Sequence, residues 1–260
     1  MLIIKCPLSQ GSLNKNIGTE TAPAQILEEL KNYEYNENKQ KIIFNSEEIL
    51  ISNNLTKNHS DIYSKIKEIN EKAIIIGGDH SITFSSFKAF SERHSNVSLI
   101  VLDAHPDLEI SSFNEPTHED YLRMLIENNY LKIDNLVLIG LRVFSKNELD
   151  FLDKNKILIY DMKKIFELGI QECADLITEK ILTFENIYLS IDIDVLDSSC
   201  VPGTGYPEPG GIQIREFIYL IQRLMKIKTV KLIDIVEVNP KKDVNNITSK
   251  LAAKIISELI

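Results

Sequence analysis

Residues 97–107 have the sequence Val97-Ser98-Leu99-Ile100-Val101-Leu102-Asp103-Ala104-His105-Pro106-Asp107. The first six are aliphatic or small, which predicts a short buried strand of a parallel sheet. Open α/β sheets bind ligands at the carboxyl ends of their strands, so the polar residues that follow lie where a ligand would bind. Asp103, His105 and Asp107 alternate with other residues, and they face one way if the extended geometry continues. A cation would offset the cost of clustering them, which favours a metal site over the alternative of a solvated loop.

Similar apolar runs recur along the chain, and helical patterns lie between most of them. We predict about eight strands, at 1–6, 41–45, 73–77, 97–102, 135–139, 157–160, 186–192 and 229–236. Helices are predicted to begin near Thr21, to cover 82–93 and to close the chain at 244–259. This alternation predicts an α/β fold with a parallel sheet, and it leaves open whether the sheet is doubly wound or closed as a barrel. We expect one domain over residues 1–260.

Composition excludes several classes of protein. The formal net charge is −9 and no block of lysine and arginine occurs, so we expect no nucleic-acid partner, and a cationic small substrate suits this charge. The three cysteines are far apart and show neither a disulfide framework nor zinc-ligand spacing, which favours a reducing compartment. No apolar run is long enough to span a membrane. We therefore expect a cytoplasmic protein without a membrane partner.

A second polar cluster, Gly77-Gly78-Asp79-His80-Ser81, follows the apolar run 73–77. The glycines allow a tight turn that leaves His80 at the edge of the sheet. A phosphate-binding loop is the alternative, but the Gly-Lys-Ser/Thr ending and the Gly-x-Gly-x-x-Gly spacing are both missing. Asp79 is expected to bond to loop backbone or to a ligand histidine instead of binding metal itself.

A third cluster, Ser190-Ile191-Asp192-Ile193-Asp194-Val195-Leu196-Asp197, lies within an otherwise apolar strand. Strand alternation places Ser190, Asp192 and Asp194 on one face. Two buried carboxylates so close together repel each other, and a cation between them would remove the repulsion. An edge strand with a solvated acidic face is the alternative. The proline- and glycine-rich segment 202–211 that follows favours an active-site rim.

The last strand, 229–236, leads into Glu237-Val238-Asn239-Pro240. Taken together, the strand ends offer more ligands than one ion needs, and they are His80, Asp103, His105, Asp107, Asp192 and Asp194. Oxygen and imidazole donors without a thiolate favour Mn²⁺ or a similar ion. Two ions that share carboxylates would lower the pKa of a shared water enough to supply hydroxide at neutral pH. His59 and His94 have polar sequence neighbours and are predicted to lie on the surface.

In their order and spacing, these four clusters resemble the motifs of the ureohydrolases, the family of arginase, agmatinase and formiminoglutamase. Gly18 to Ile26 is also similar to the family's early Gly-x-x-x-x-Pro segment, so the resemblance spans nearly the whole chain. It implies a three-layer α/β/α fold with an eight-stranded parallel sheet, which the deacetylases share. It also implies two Mn²⁺ ions per chain.

The resemblance further implies the role of each residue. One ion would be held by His80, Asp103, Asp107 and Asp192, and the other by Asp103, His105, Asp192 and Asp194. Asp103 and Asp192 would then bridge the pair, and Asp107 would count among the catalytic residues. Glu237 would receive the guanidinium of the substrate, and His118 would carry protons, although a helix-cap or surface histidine is an alternative for His118. Arg142 is family-like in place and could be structural.

Members of the family hydrolyse a guanidino carbon to release urea and an amine. Segment 202–211 looks more like agmatinases than arginases, so we expect agmatine to be cleaved to putrescine and urea, a step of polyamine biosynthesis. Arginase, guanidinobutyrase and formiminoglutamase activities are alternatives, as is a metal-binding relative without turnover. Ser198 stands where the family has a proline, which could loosen the loop 198–206. Relatives form trimers or hexamers, so a homo-oligomer is expected.

Overall fold

A parallel eight-stranded sheet forms the middle of the computed structural model, which describes residues 1–260. Its strands are β1 (Leu2–Cys6), β2 (Asn45–Glu48), β3 (Ala73–Gly77), β4 (Val97–Leu102), β5 (Leu136–Ile139), β6 (Leu158–Tyr160), β7 (Asn186–Asp192) and β8 (Val230–Val236). Their order across the sheet is β2-β1-β3-β8-β7-β4-β5-β6, and every neighbouring pair is parallel. This confirms the predicted α/β class and shows an open sheet instead of a barrel.

Helices cover both faces of the sheet. They are α1 (Ala22–Leu30), α2 (Leu55–Glu68), α3 (Ile82–Ser91), α4 (Tyr121–Glu127), α5 (Lys146–Asn155), α6 (Met162–Leu168), α7 (Ile170–Ile181), α8 (Ile214–Leu224) and α9 (Ile247–Leu259). Side chains of α1 and α6 to α9 share one apolar core with Ile74 and Ile76, and those of α2 to α5 share a second core with Ile75. Because successive strand residues point to opposite faces, β3 serves both cores. The three-layer α/β/α arrangement is thereby confirmed.

The strand order brings the four polar clusters together. β3, β8, β7 and β4 are consecutive across the sheet, and each leads into one of the clusters at its carboxyl end. Since parallel strands end at the same edge, His80 and Glu237 become neighbours although 157 residues separate them in the sequence. The centre of the sheet therefore carries the candidate site.

The predicted second strand, at 41–45, was wrong. The strand observed there is β2, and all four of its residues are exposed. It is an edge strand that pairs only with β1, so it needs no apolar side chains, and the apolar pattern could not reveal it. The closing helix also begins later than predicted, at Ile247 instead of residue 244. None of the helices combines the length and apolarity of a membrane span.

The backbone turns more sharply after β4 and β7 than the sequence analysis assumed. β4 ends at Leu102, and Asp107 has a left-handed backbone with φ of 52°. β7 ends at Asp192, and residues 193–195 form a short 3-10 helix. Ser190 and Asp192 lie within β7 and both contact His80, as strand alternation predicted. The acidic residues beyond the strand ends, Asp107 and Asp194, are instead positioned by turns.

Candidate metal centre and active site

Three carboxylate oxygens surround one nitrogen of His80. Nδ1 of His80 lies 3.2 Å from Asp103 Oδ2, 3.1 Å from Asp107 Oδ2 and 3.3 Å from Asp192 Oδ2. Neither this nitrogen nor Asp103 Oδ2 has a hydrogen-bond partner, although both are fully buried. Atoms that share one metal ion at about 2.1 Å are separated by about 3 Å. These four residues therefore fit a common cation.

A second group adjoins the first and shares Asp103 with it. Nδ1 of His105 lies 3.1 Å from Asp194 Oδ2 and 3.6 Å from Asp103 Oδ1. Asp103, His105 and Asp194 each offer a ligand atom within 4.8 Å of the others, as do His80, Asp103 and Asp107. Two adjacent cations bridged by Asp103 are thus compatible with the geometry. The structure places Asp192 against His80, on the side of the first group.

Backbone amides aim the aspartates at the centre. The amide of His105 donates to Asp103 Oδ1 at 2.6 Å, and the amide of Asp194 donates to Asp192 Oδ1 at 2.8 Å. The amide of Ala104 donates to Asp194 Oδ1 at 3.0 Å. In each carboxylate one oxygen is held by the backbone, and the Oδ2 atom is left for the interior of the cluster.

The electrostatics of this cluster call for positive charge. Burial, together with the charge of neighbouring aspartates, raises the pKa values of Asp107, Asp192 and Asp194. Burial opposes a charged imidazole at position 105, yet Asp103 and Asp194 outweigh it and raise the pKa of His105. Carboxylates that destabilise one another and favour any nearby cation are the donors expected of a divalent metal site. The residues present therefore fit the metal pair that the sequence predicts.

The second nitrogen of His80 is already engaged. Nε2 lies 2.8 Å from Ser190 Oγ and 3.0 Å from the Tyr121 hydroxyl, and Ser190 donates to Asp234 Oδ1 at 2.6 Å. These contacts fix the ring and leave Nδ1 to face the aspartates. The sequence analysis missed Tyr121 and Asp234. Tyr121 lies in a helix and Asp234 in an apolar strand, and no motif connects either of them with His80.

Glu237 stands beside the cluster with both carboxylate oxygens occupied. Oε1 accepts the His80 amide at 2.7 Å and lies 3.3 Å from His118 Nδ1, and Oε2 accepts from the Asn16 side chain. Glu237 has a left-handed backbone with φ of 65°, which turns the chain at the end of β8. Strain of this kind is tolerated where the surroundings hold a functional side chain in place.

His118 is buried and is therefore not the surface histidine of the alternative interpretation. Burial opposes its charge, but the neighbouring Glu237 carboxylate outweighs burial and raises the pKa of His118 to about 9. Its ring stacks on Tyr206, with centroids 5.8 Å apart, and its Nε2 has no hydrogen-bond partner. The Glu237 carboxylate therefore favours the protonated form of this imidazole.

A cavity of about 340 Å³ opens onto these groups. Its lining includes residues of the cluster and its neighbours: His105, Asp107, His118, Asp192, Asp194 and Glu237. The lining also includes four glutamates, Glu109, Glu119, Glu148 and Glu208, together with Val143, Phe144, Ser145, Thr204 and Tyr206, and it contains neither lysine nor arginine. Lys15 pairs with Glu119 at 2.5 Å and does not line the cavity. The space is therefore suited to a positively charged molecule.

Two further residues from the sequence analysis support the loops. Asp79 accepts the Gly11 amide at 2.8 Å and the Ser81 amide at 3.0 Å, so its contacts are to loop backbone. Arg142 donates to Asp194 O at 2.6 Å and to Glu208 O at 2.9 Å. It ties the turn that carries Asp194 to the rim of the cavity.

The prediction for His59 was wrong. This residue lies in α2 with 6% of its surface exposed, and its Nδ1 is 2.9 Å from Ser85 Oγ in α3. The neighbours of His59 in the sequence are polar, but the buried stripe of the helix also includes Ile62 and Ile66. His94 is half-buried.

Comparison with known proteins identifies the family. The family model described as "Arginase family" matches residues 1–260. An arginase of Staphylococcus aureus is 34% identical over 239 residues, which cover 86% of this chain and 78% of that protein. The crystal structure of formimidoylglutamase from Bacillus subtilis aligns with a TM-score of 0.93 and 26% identity, covering 99% of this chain and 85% of that one.

Proclavaminate amidinohydrolase from Streptomyces clavuligerus aligns with a TM-score of 0.90 and 28% identity, covering 99% of this chain and 89% of that one. The relatives thus carry names of enzymes that act on different substrates. They share the fold, and the family model covers the whole of the present sequence. The chain therefore belongs to the arginase family of binuclear metal-dependent hydrolases, the ureohydrolases.

Proposed function

We propose that this hydrolase cleaves agmatine to putrescine and urea. The observation that carries the proposal is the acidic cavity, whose lining includes Glu109 and Glu208 beyond the aspartates and no cationic side chain except histidine. Agmatine carries a guanidinium at one end and an ammonium at the other, so both ends would be attracted. The attraction between opposite charges is strongest where water is excluded.

The alternative substrates carry a carboxylate that this cavity does not match. Arginine, guanidinobutyrate and formiminoglutamate would each bring at least one carboxylate into a cavity lined by four glutamates besides Glu237. Two cations lie near these glutamates and both are already engaged: the ammonium of Lys15 is paired with Glu119, and the guanidinium of Arg142 donates to backbone carbonyls. A substrate carboxylate would therefore be repelled or left without a partner, which costs affinity. This supports agmatine over the other three.

We propose that six side chains hold two Mn²⁺ ions, and they are His80, Asp103, His105, Asp107, Asp192 and Asp194. Oxygen and imidazole donors support Mn²⁺ over softer ions. When bound, such a pair of ions supplies a nucleophile from water at neutral pH. Metal analysis of protein purified without added metal would test whether the bound ion is Mn²⁺.

Side chains of the protein itself would bind the substrate and transfer the proton. Glu237 would receive the guanidinium through a charge-assisted hydrogen bond at the acceptor position that its other contacts leave open, and would so fix the position of the guanidino carbon. Hydrolysis adds the oxygen of water to that carbon and breaks its bond to the nitrogen of the alkyl chain, which leaves as an amine. That nitrogen needs a proton, and His118, which lines the cavity and whose protonated form is favoured by the Glu237 carboxylate, is the proposed donor. Asp107, with its left-handed backbone, lines the same space.

The direct experiment is urea release by the purified Mn²⁺-loaded protein from agmatine, arginine, 4-guanidinobutyrate and formiminoglutamate, the last assayed by formamide release. Agmatine is expected to give the highest kcat/KM. Urea from arginine instead would overturn the substrate assignment and leave the chemistry intact. No turnover of any of the four compounds, with two ions bound per chain, would favour a non-catalytic relative. Metal-stripped protein is the control.

We also propose that residues 1–260 act as one catalytic domain within a homo-oligomer, a trimer or hexamer, in the cytoplasm. Three free cysteines suit a reducing compartment. Mass measurement in solution tests the oligomer, since a monomeric mass at micromolar concentration would overturn it. Fractionation of cells that produce the protein tests the compartment.

A further inference from the structure

Asn16 is an amide that is completely buried next to Glu237. Its side chain has no exposed surface, and Nδ2 donates to Glu237 Oε2 and lies 3.4 Å from the backbone carbonyl of the same residue. Asn16 lies 221 residues from Glu237 in the sequence, in a turn that precedes α1. It belongs to none of the polar clusters that mark the strand ends. A buried polar side chain needs a partner, and here the partner is the carboxylate proposed to receive the substrate.

The orientation of the amide is set by a directed chain of hydrogen bonds. Asn239 Oδ1 accepts the Lys241 amide at 3.0 Å, so the Nδ2 of Asn239 is the group that faces Asn16. This Nδ2 donates to Asn16 Oδ1 at 2.6 Å and to Ile17 O at 3.1 Å. With its oxygen occupied in this way, Asn16 presents its NH₂ group to Glu237. The assignment of oxygen and nitrogen therefore follows from the network.

Glycines make room for this amide pair. A side chain at Gly18 would begin 2.2 Å from Asn239 Oδ1, and one at Gly205 would begin 2.9 Å from Asn16. The backbone N–H of Asn239 also donates to Gly203 O at 2.7 Å, which holds the loop that precedes Tyr206 against Asn239. Three segments of the chain thus close around the two asparagines. This close packing around Asn16 and Asn239 restricts the position of the Glu237 side chain.

We propose that Asn16 is a positioning residue that holds Glu237 in the orientation required to bind the guanidinium of the substrate. This inference rests on the proposed function and extends it to a residue outside the strand-end motifs. A carboxylate has about four acceptor positions, and the contacts to His80, His118 and Asn16 already use three. The direction in which Glu237 can still accept is therefore determined by these partners. Asn16 is the one that holds Oε2.

The test compares two substitutions that separate charge from packing. Asn16→Asp keeps the shape of the side chain but faces Glu237 with a second carboxylate, whereas Asn16→Ala removes the donor and leaves a small cavity. If Asn16 positions Glu237, the KM for agmatine rises about tenfold in Asn16→Ala and further in Asn16→Asp, with kcat changed less than KM. A packing role predicts the opposite order, because the isosteric aspartate preserves volume. That order, or a KM equal to that of the unaltered protein in both variants, would overturn the proposal.

Asn32→Asp is the matched control. Asn32 is exposed and its Nδ2 lies 3.5 Å from a glutamate, Glu29, so the same substitution is made beside a carboxylate far from the cavity. Its kinetics are expected to equal those of the unaltered protein. Melting temperature and metal content are measured for each variant to establish folding. Should Asn16→Asp fail to fold, Asn239→Ala is used instead, because it removes the group that orients Asn16. It is expected to raise the KM for agmatine, and an unchanged KM would also overturn the proposal.

A binding measurement separates this inference from the proposed function. Guanidinium chloride at millimolar concentration is titrated calorimetrically into the Mn²⁺-loaded protein and the variants. Weaker binding in the order unaltered, Asn16→Ala, Asn16→Asp supports the inference even if no urea is released from any compound. Equal binding by all three would overturn it while leaving agmatine hydrolysis, if observed, intact.

Discussion

His59 offers a quantitative test of the structure that is independent of the metal centre. Its ring is buried between α2 and α3, and burial lowers its pKa to about 4 from 6.5. A base whose pKa is lower in the folded state favours unfolding when it takes up a proton. Stability is therefore lost as the pH falls from about 6.5 to about 4. The full difference of two and a half pKa units corresponds to about 3 kcal/mol, of which about 2 kcal/mol is lost by pH 5.

The perturbation is His59→Gln, which keeps a polar partner for Ser85 and removes the titrating group. The free energy of unfolding is measured by urea denaturation at pH 7 and at pH 5 for both proteins. Between these conditions the unaltered protein should lose about 2 kcal/mol more than the variant. Both proteins carry the same aspartates and histidines at the metal centre, so their effects cancel in the difference.

His94→Gln provides the comparison. His94 is only half-buried, so its substitution should change the dependence on pH in the same direction but by a smaller amount. Equal losses of stability in the unaltered protein and in His59→Gln would refute the reasoning. They would mean that the imidazole of His59 reaches water in the folded state, against the packing of α2 on α3.

Three predictions concern the active site. Glu237→Gln removes the charge that faces the guanidinium, so kcat/KM for agmatine should fall about 100-fold or more while both metal ions stay bound, and kinetics with metal analysis would measure this. His118→Asn should lower kcat by about 100-fold with little change in KM, because the leaving amine loses its proton donor; an unchanged kcat would remove His118 from the reaction. Chelation should lower the melting temperature because the aspartates lose their counter-ions, and added Mn²⁺ should restore it. Calorimetry with and without metal measures this, and a melting temperature that changes with neither treatment would contradict the prediction.

Much of the site could be predicted from the sequence because its residues follow apolar strands. Asp103 and His105 come just after an apolar run and Asp192 ends another, and polar residues at the ends of buried strands need a partner. The same logic explains why the sheet and its helices were predicted. Seven of the eight strands coincide with apolar runs, and the exception is an exposed edge strand.

The rest could not be predicted, since it depends on contacts between distant segments. Asn16 lies in a polar stretch like many others, and only the fold shows that it touches Glu237. Tyr121 gives no signal either, since a tyrosine in a helix is normally part of a core. His59 was misjudged because its sequence neighbours are polar, although helical spacing with Ile62 and Ile66 would have placed it on the buried face.

The order of the strands explains how so costly a site can be maintained. Two of its residues, Asp107 and Glu237, have left-handed backbones, each of which costs about 1–2 kcal/mol. Four aspartates are buried at the same edge, where their charges oppose one another without a cation. These costs fall on turns that follow the four central strands, and those strands are covered by apolar helices on both faces. A change in the backbone conformation of these turns would have to move the ends of strands that lie in the middle of the sheet. The stability of the two cores therefore maintains a polar arrangement that the local sequence alone would not adopt.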